Sequence, residues 1–163
     1  MGETGRHRRI LGIDPGLQAI GFGCIESDGN DHRFIDGGVI TTPASDETPK
    51  RLATIYDHLQ ELLAELKPEL VSMEKLFFVR NITSGISVAQ AQGVMMLACR
   101  QARLPLIEYT PLQIKMAISG YGRATKDQVQ IMVQKLLNLS EKPKPDHCAD
   151  ALGAALTLAL ERG

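Results

Sequence analysis

Over the first forty residues apolar side chains come in short runs separated by turn formers, which is the pattern of strands rather than helices. Residues 8–15 (RRILGIDP), 19–27 and 33–41 read as three consecutive strands. Gly16 falls in the first connection, and Asp28, Gly29, Asn30 and Asp31 supply turn chemistry for the second, so the three should pair as an antiparallel meander. At Thr48-Pro49, which reads as a helix N-cap with proline at the first helical position, the period changes. Leu52, Ile55, Tyr56, Leu59, Leu62, Leu63 and Leu66 then recur at i, i+3, i+4 and i+7 until Pro68 stops them. Leu70-Val71-Ser72-Met73 is a short buried strand closed by Glu74.

A second helix is expected over 85–102, where Ala89, Ala91, Gly93 and Ala98 are small enough for close approach, followed by a strand from Leu106 to Tyr109. Thr110-Pro111-Leu112-Gln113 and Thr125-Lys126-Asp127-Gln128 both have capping-box spacing, so each should open a helix. Between them lies the basic loop Ser119-Gly120-Tyr121-Gly122-Arg123. The joint Lys142-Pro143-Lys144-Pro145 leads into a last helix beginning near Asp146, with Asp146 as its expected N-cap. Strands first and strand-helix alternation afterwards predict an α/β fold. Its mixed five-stranded sheet has three antiparallel strands, then two parallel ones, with helices on both faces. The whole chain, 1–163, reads as one domain, with 1–8 as a flexible N-terminal tail.

Composition narrows the setting. The best apolar run, 151–160, is about half the length a membrane span needs, so no membrane association is expected. The opening MGETGRHRRI is basic but lacks the apolar stretch of a signal peptide. Cys24, Cys99 and Cys148 are odd in number and scattered, which points to free thiols in a reducing, cytoplasmic setting and away from a disulfide scaffold or zinc cage. A net charge of -1 does not by itself suggest nucleic acid. Its distribution does permit an anion-facing side: residues 46–69 hold six acids and three bases, whereas 110–135 hold four bases and one acid.

Two carboxylates stand out. Asp14 and Glu74 each end an apolar strand, where an unpaired charge losing water costs several kcal/mol. If their strands are parallel neighbours, the two lie about 5 Å apart and repel unless a cation joins them. In PDHCADALG, His147 and Asp150 stand three apart and share one helix face. Donors from three segments, mostly oxygen, describe a site for a hard divalent cation. Two such ions about 3.5–4 Å apart suit phosphodiester hydrolysis, although phosphate monoesters and triphosphates would fit the same chemistry.

At these residues the chain resembles a known family. ILGIDPG, MEKLFF, AQAQGV, QIKMAISGYGRATKDQVQ and HCADALGAAL, in that order over nearly the whole sequence, are similar to the RuvC family of Holliday-junction resolvases. The resemblance implies an RNase H-like fold and a homodimer. It also implies Mg2+- or Mn2+-dependent cutting of four-way DNA junctions with two ions per site, leaving 5'-phosphate and 3'-hydroxyl ends. It matches Asp14, Glu74 and Asp150 to family carboxylates and puts His147 where the family often has Asp; Asp146 stays open as the alternative ligand. Phe77 matches an aromatic that wedges between bases, Arg80 and Asn81 look placed for backbone phosphates, and Lys115 and Lys126 match basic positions near the scissile phosphate. A branch-migration complex of RuvA and RuvB type is an expected partner, and the helix over 85–102 a candidate dimer face. Three other readings compete. An actin-like ATPase needs a second domain for which this chain is too short. A non-catalytic branched-DNA module of the same fold should lack one of the four ligands. An RNA-processing relative is disfavoured by Phe77, Lys115 and Lys126.

Overall fold

A computed structural model describes residues 5–75 and 82–163. In chain order the elements are β1 (Arg8–Asp14), β2 (Ala19–Ser27), β3 (His32–Thr41), α1 (Thr48–Leu66), β4 (Leu70–Glu74), α2 (Ile82–Gln101), β5 (Leu106–Tyr109), α3 (Pro111–Ser119), α4 (Lys126–Leu136) and α5 (Asp146–Glu161). The sheet runs β3-β2-β1-β4-β5. β1 pairs antiparallel with β2 and β2 with β3, whereas β1 with β4 and β4 with β5 are parallel. This is the mixed sheet that the alternation of elements predicts.

Boundaries shift where local chemistry differs from expectation. Both capping boxes form, with Thr110 accepting from the Gln113 amide and Thr125 from that of Gln128. Thr48, by contrast, is already helical: Glu47 is the N-cap of α1 and offers no side-chain cap. Asp146 is likewise the first residue of α5 rather than its cap, which is Pro145. The Asp146 carboxylate is drawn instead to Gln130, whose Nε2 donates to it at 3.0 Å. α2 begins three residues earlier than expected, at Ile82. It is also long and apolar enough to cross a bilayer by length and composition, its apolar residues being spread among polar ones rather than gathered in a single run. Only part of it is covered: Ala91, Met95, Ala98 and Cys99 are buried, while Ile86 and Leu97 are 55% and 52% exposed.

The sheet separates two cores. Leu11, Ile13, Val71 and Met73 pack with α1 and α2 on one face. Ile10, Ile25 and Leu70 pack with α3, α4 and α5 on the other. Because side chains alternate along a strand, residues 10, 12 and 14 of β1 face α5, as do 70, 72 and 74 of β4. Thus Asp14 and Glu74 emerge on the face α5 covers. α5 is buried on all sides from Ala151 to Ala159, as are Cys148 and Ala149 before Asp150.

That helix lies unusually close to the sheet. A Cβ at Gly12 would stand 1.8 Å from the Ala151 carbonyl oxygen, and one at Gly21 would stand 1.9 Å from that of His147. From β4 the fully buried Ser72 hydroxyl donates to the Ala154 carbonyl at 2.6 Å, adding a polar tie to the same contact. Replacing Gly12 by alanine forces backbone apart rather than a flexible side chain. We expect G12A to lower stability by about 1–3 kcal/mol or more in urea denaturation. A wild-type midpoint would show that α5 is not seated as described.

Candidate active site

β1 and β4 deliver their terminal carboxylates side by side. The last registered pair is Ile13 with Met73, so Asp14 and Glu74 are the next step along two adjacent parallel strands. Asp14 lies opposite Gly21 in the β1–β2 ladder, and Gly21 is where α5 begins its close contact. The first turn of α5 therefore drops onto Asp14. His147 Nδ1 is 2.9 Å from Asp14 Oδ2; since a carboxylate only accepts, Nδ1–H donates and a neutral ring keeps its lone pair on Nε2. One turn on, Asp150 reaches the same edge, only partly exposed.

Asp146 and His147, the open alternatives, part company here. Asp146 is two-thirds exposed and bonded to α4 through Gln130 and Lys126. His147 is the one brought to Asp14. Lys126, in the first turn of α4, sets its ammonium 3.4 Å from Asp150 Oδ2 and 3.5 Å from Asp146 Oδ2. Lys115, from α3, lines the same cleft as Glu74, Lys126 and Asp150. Phe77, Arg80 and Asn81 lie outside the described residues.

Burial and mutual repulsion govern the charges. Glu74 is pushed up to about 8, first by burial, then by the Asp14 charge and its hydrogen bond with Asp14, then by Asp150, with Lys126 opposing. Asp150 is raised by burial and by Asp14, again against Lys126. Burial works against the Lys126 ammonium, but Asp150 and Asp146 outweigh it and its pKa rises. Three carboxylates thus face one lysine and one imidazole. Among the described residues no three His, Cys, Asp or Glu side chains close around a single point; the acids are engaged pairwise with Lys126, His147 and each other. In chemistry, though not in that pairwise arrangement, the donors suit a hard divalent cation.

One contributor was not singled out from the sequence. Gln92 of α2, 7% exposed, donates from Nε2 to the Glu74 carbonyl at 3.1 Å and so fixes the end of β4. The signal available was a lone amide among Ala91, Val94 and Met95 on the inward face of an apolar helix.

A sheet of this order, with helices on both faces, is the RNase H-like fold, and acids from two parallel strands and the last helix gather at one end of it. The family model described as "Crossover junction endodeoxyribonuclease RuvC" matches residues 10–158. The chain belongs to the RuvC family. It is 50% identical over 147 residues to the crossover junction endodeoxyribonuclease RuvC of Halothermothrix orenii, covering 90% of this chain and 89% of that one. Against the Brevibacillus brevis protein of the same name it is 48% identical over 154 residues, covering 94% and 93%. The structure of T. thermophilus RuvC in complex with Holliday junction substrate superposes with a TM-score of 0.91 at 35% identity, covering 96% of this chain and 95% of that one. The yeast mitochondrial Holliday junction resolvase Ydc2, at 14% identity and a TM-score of 0.65 over 95% and 82% of the chains, shares the fold alone.

The elevated Glu74 has a thermodynamic consequence. Between its ordinary value of 4.5 and about 8, the folded chain holds a proton that the unfolded chain releases. This contribution to stability is full below the lower value and is lost as pH rises through the higher. In the presence of a chelator, the wild type should lose on the order of 2 kcal/mol between about pH 5.5 and about pH 8.5. Glu74→Gln should flatten that slope in urea titrations. An equally steep slope in the variant would assign it to other groups.

Proposed function

We propose that this chain is a structure-selective endonuclease that resolves four-way DNA junctions by paired phosphodiester hydrolysis, in recombination and repair in the cytoplasm. The observation that carries this reading is the gathering of Asp14, Glu74, His147 and Asp150 beside a cleft lined by Lys115 and Lys126. Those four side chains would hold Mg2+ or Mn2+, two per site; bound there, the metal would activate water and stabilise the leaving oxygen. The water oxygen bonds to phosphorus as the bond to the 3' oxygen breaks, leaving 5'-phosphate and 3'-hydroxyl ends. Lys115 and Lys126 offset charge developing on the phosphate. Lys126 is just over half exposed, so its ammonium is free to swing to the phosphate, leaving the Asp150 carboxylate to hold the metal in its place. An imidazole donor is softer than a carboxylate, so Mn2+ should support cutting at least as well as Mg2+. Phe77 is assigned to the junction crossover, with Arg80 and Asn81 on neighbouring phosphates.

A homodimer joined through α2 places two such sites on opposite strands of a symmetric junction. The exposed Ile86, Met96 and Leu97, and Gly93 with nothing within 4 Å of its missing Cβ, support that face. A RuvA- and RuvB-type motor is the expected supplier of junctions.

Two measurements test the reading. Wild type should nick a mobile four-way junction symmetrically in Mn2+ or Mg2+. Glu74→Gln should bind it in gel shifts yet nick roughly a hundredfold more slowly or worse. Binding by both without cutting by either would favour a silent junction-binding module. Separately, Gly93→Glu should convert a dimer to monomers in light scattering, because it buries an unpaired charge; a variant that stays dimeric would move the interface elsewhere.

A further inference from the structure

A second groove reaches the catalytic end of the sheet from the other side. The lysine cleft lies between α3, α4 and the first turns of α5. The second opens at His147 toward β3 and α1, lined by Gly16, Thr41 and Arg51 and by Ser84 and Ser87 at the start of α2. Apart from His147, none of its lining has a part in the function proposed above. Its one guanidinium is built in rather than loosely exposed. Arg51 Nε donates to the Thr42 hydroxyl at 2.9 Å. Thr42 is 3% exposed and in turn donates to the Leu17 carbonyl at 2.6 Å. Its amide donates to the Gln18 carbonyl at 3.0 Å. The guanidinium is thus tied to the loop that follows Asp14.

Neither nearby acid holds it: Asp46 pairs with Lys50 at 3.0 Å, and Glu47, whose carbonyl accepts from the Arg51 amide, makes no ion pair among the described residues. Among the described residues Arg51 makes no ion pair, like Arg8, Arg100, Arg103, Arg123 and Arg162 and unlike Arg6, Arg9 and Arg33; what sets it apart is its place in the groove beside His147. A guanidinium fixed through Nε still presents its terminal N–H groups, the geometry that grips two oxygens of one phosphate. The rest of the lining combines the hydroxyls of Thr41, Thr42, Ser84 and Ser87 with the Gln18 amide and apolar side chains such as Leu17, and hydroxyls beside a guanidinium suit a sugar–phosphate backbone.

We infer that Arg51 binds a backbone phosphate of the cleaved strand next to the scissile one, so that the strand crosses the site from the Lys115–Lys126 cleft over Asp14 and His147 into this groove. The inference rests on the endonuclease reading above and adds the strand's path. Arg51 is then a positioning residue: it holds the strand, and it braces the loop after Asp14 through Thr42.

The experiment is junction binding over a range of salt by wild type, R51Q, R51K and T42V, with single methylphosphonates placed along the cleaved strand. R51Q should bind roughly tenfold more weakly. Its salt slope should be shallower by about 0.9 for each Arg51 engaged. One neutralised phosphate beside the scissile position should weaken wild type and leave R51Q unaffected. R51K keeps the charge without the fork and should retain the slope while losing part of the affinity, which reads the contact even where R51Q folds poorly. T42V should keep the wild-type slope and unfold at lower temperature. A wild-type slope and methylphosphonate profile in folded R51Q would overturn the inference while leaving the endonuclease reading intact. A wild type that neither binds nor nicks a junction would overturn both.

Discussion

α5 crosses the sheet at a separation that alanine at positions 12 and 21 would not permit, and that separation fixes where His147 and Asp150 stand. Strand alternation supplies the other half of the constraint. With Ile13 and Met73 committed to the core beneath α1 and α2, Asp14 and Glu74 must emerge on the opposite face, under the first turn of α5. No loop has to find the site. Its acids are carried by three rigid elements whose relative placement is set by two hydrophobic cores, and Ser72 and Gln92 pin the strand that carries Glu74.

This rigidity concentrates negative charge. A carboxylate at the end of a buried strand could be relieved by moving to solvent, but Glu74 is prevented by its own register and by the Gln92 amide on its carbonyl. The relief available to the chain alone is protonation, seen in the elevated Glu74, and pairing, seen in Lys126 on Asp150 and His147 on Asp14. Each of these limits the repulsion among the acids, and the Lys126 pairing is the one open to competition from a phosphate.

Much of this was legible in the sequence for definite reasons. Asp14 and Glu74 break apolar runs, and the order of runs and periods allowed one sheet in which they are neighbours. Both threonine capping boxes were readable because four consecutive residues decide them. The start of α5 was not, because Asp146 had two ways to satisfy its carboxylate and the choice lay with Gln130 and Lys126 on another helix. The small residues of α2 marked it as a candidate dimer face, but which side stays open at Ile86, Met96 and Leu97 was not legible, because spacing in an apolar helix does not say which side the sheet covers. Gln92 and Arg51 were invisible for a similar reason: each acts through a contact with a distant strand end or loop, and spacing along the chain says nothing of either.

The pairings that hold the acids in this state differ in strength, and the difference orders what a substrate can change. Lys126 and Asp146 are each more than half exposed, so their contact contributes little and is released cheaply. Asp14, only 13% exposed on its side chain, has His147 as its hydrogen-bond partner from α5 and the Thr42–Arg51 brace on the loop beyond it. On the proposed function, the lysine side of the site is the adjustable one, able to follow charge onto a phosphate, and the histidine side is the fixed one. A strand laid across both therefore meets a movable cation at one end and a braced guanidinium at the other, with the rigid acids between them.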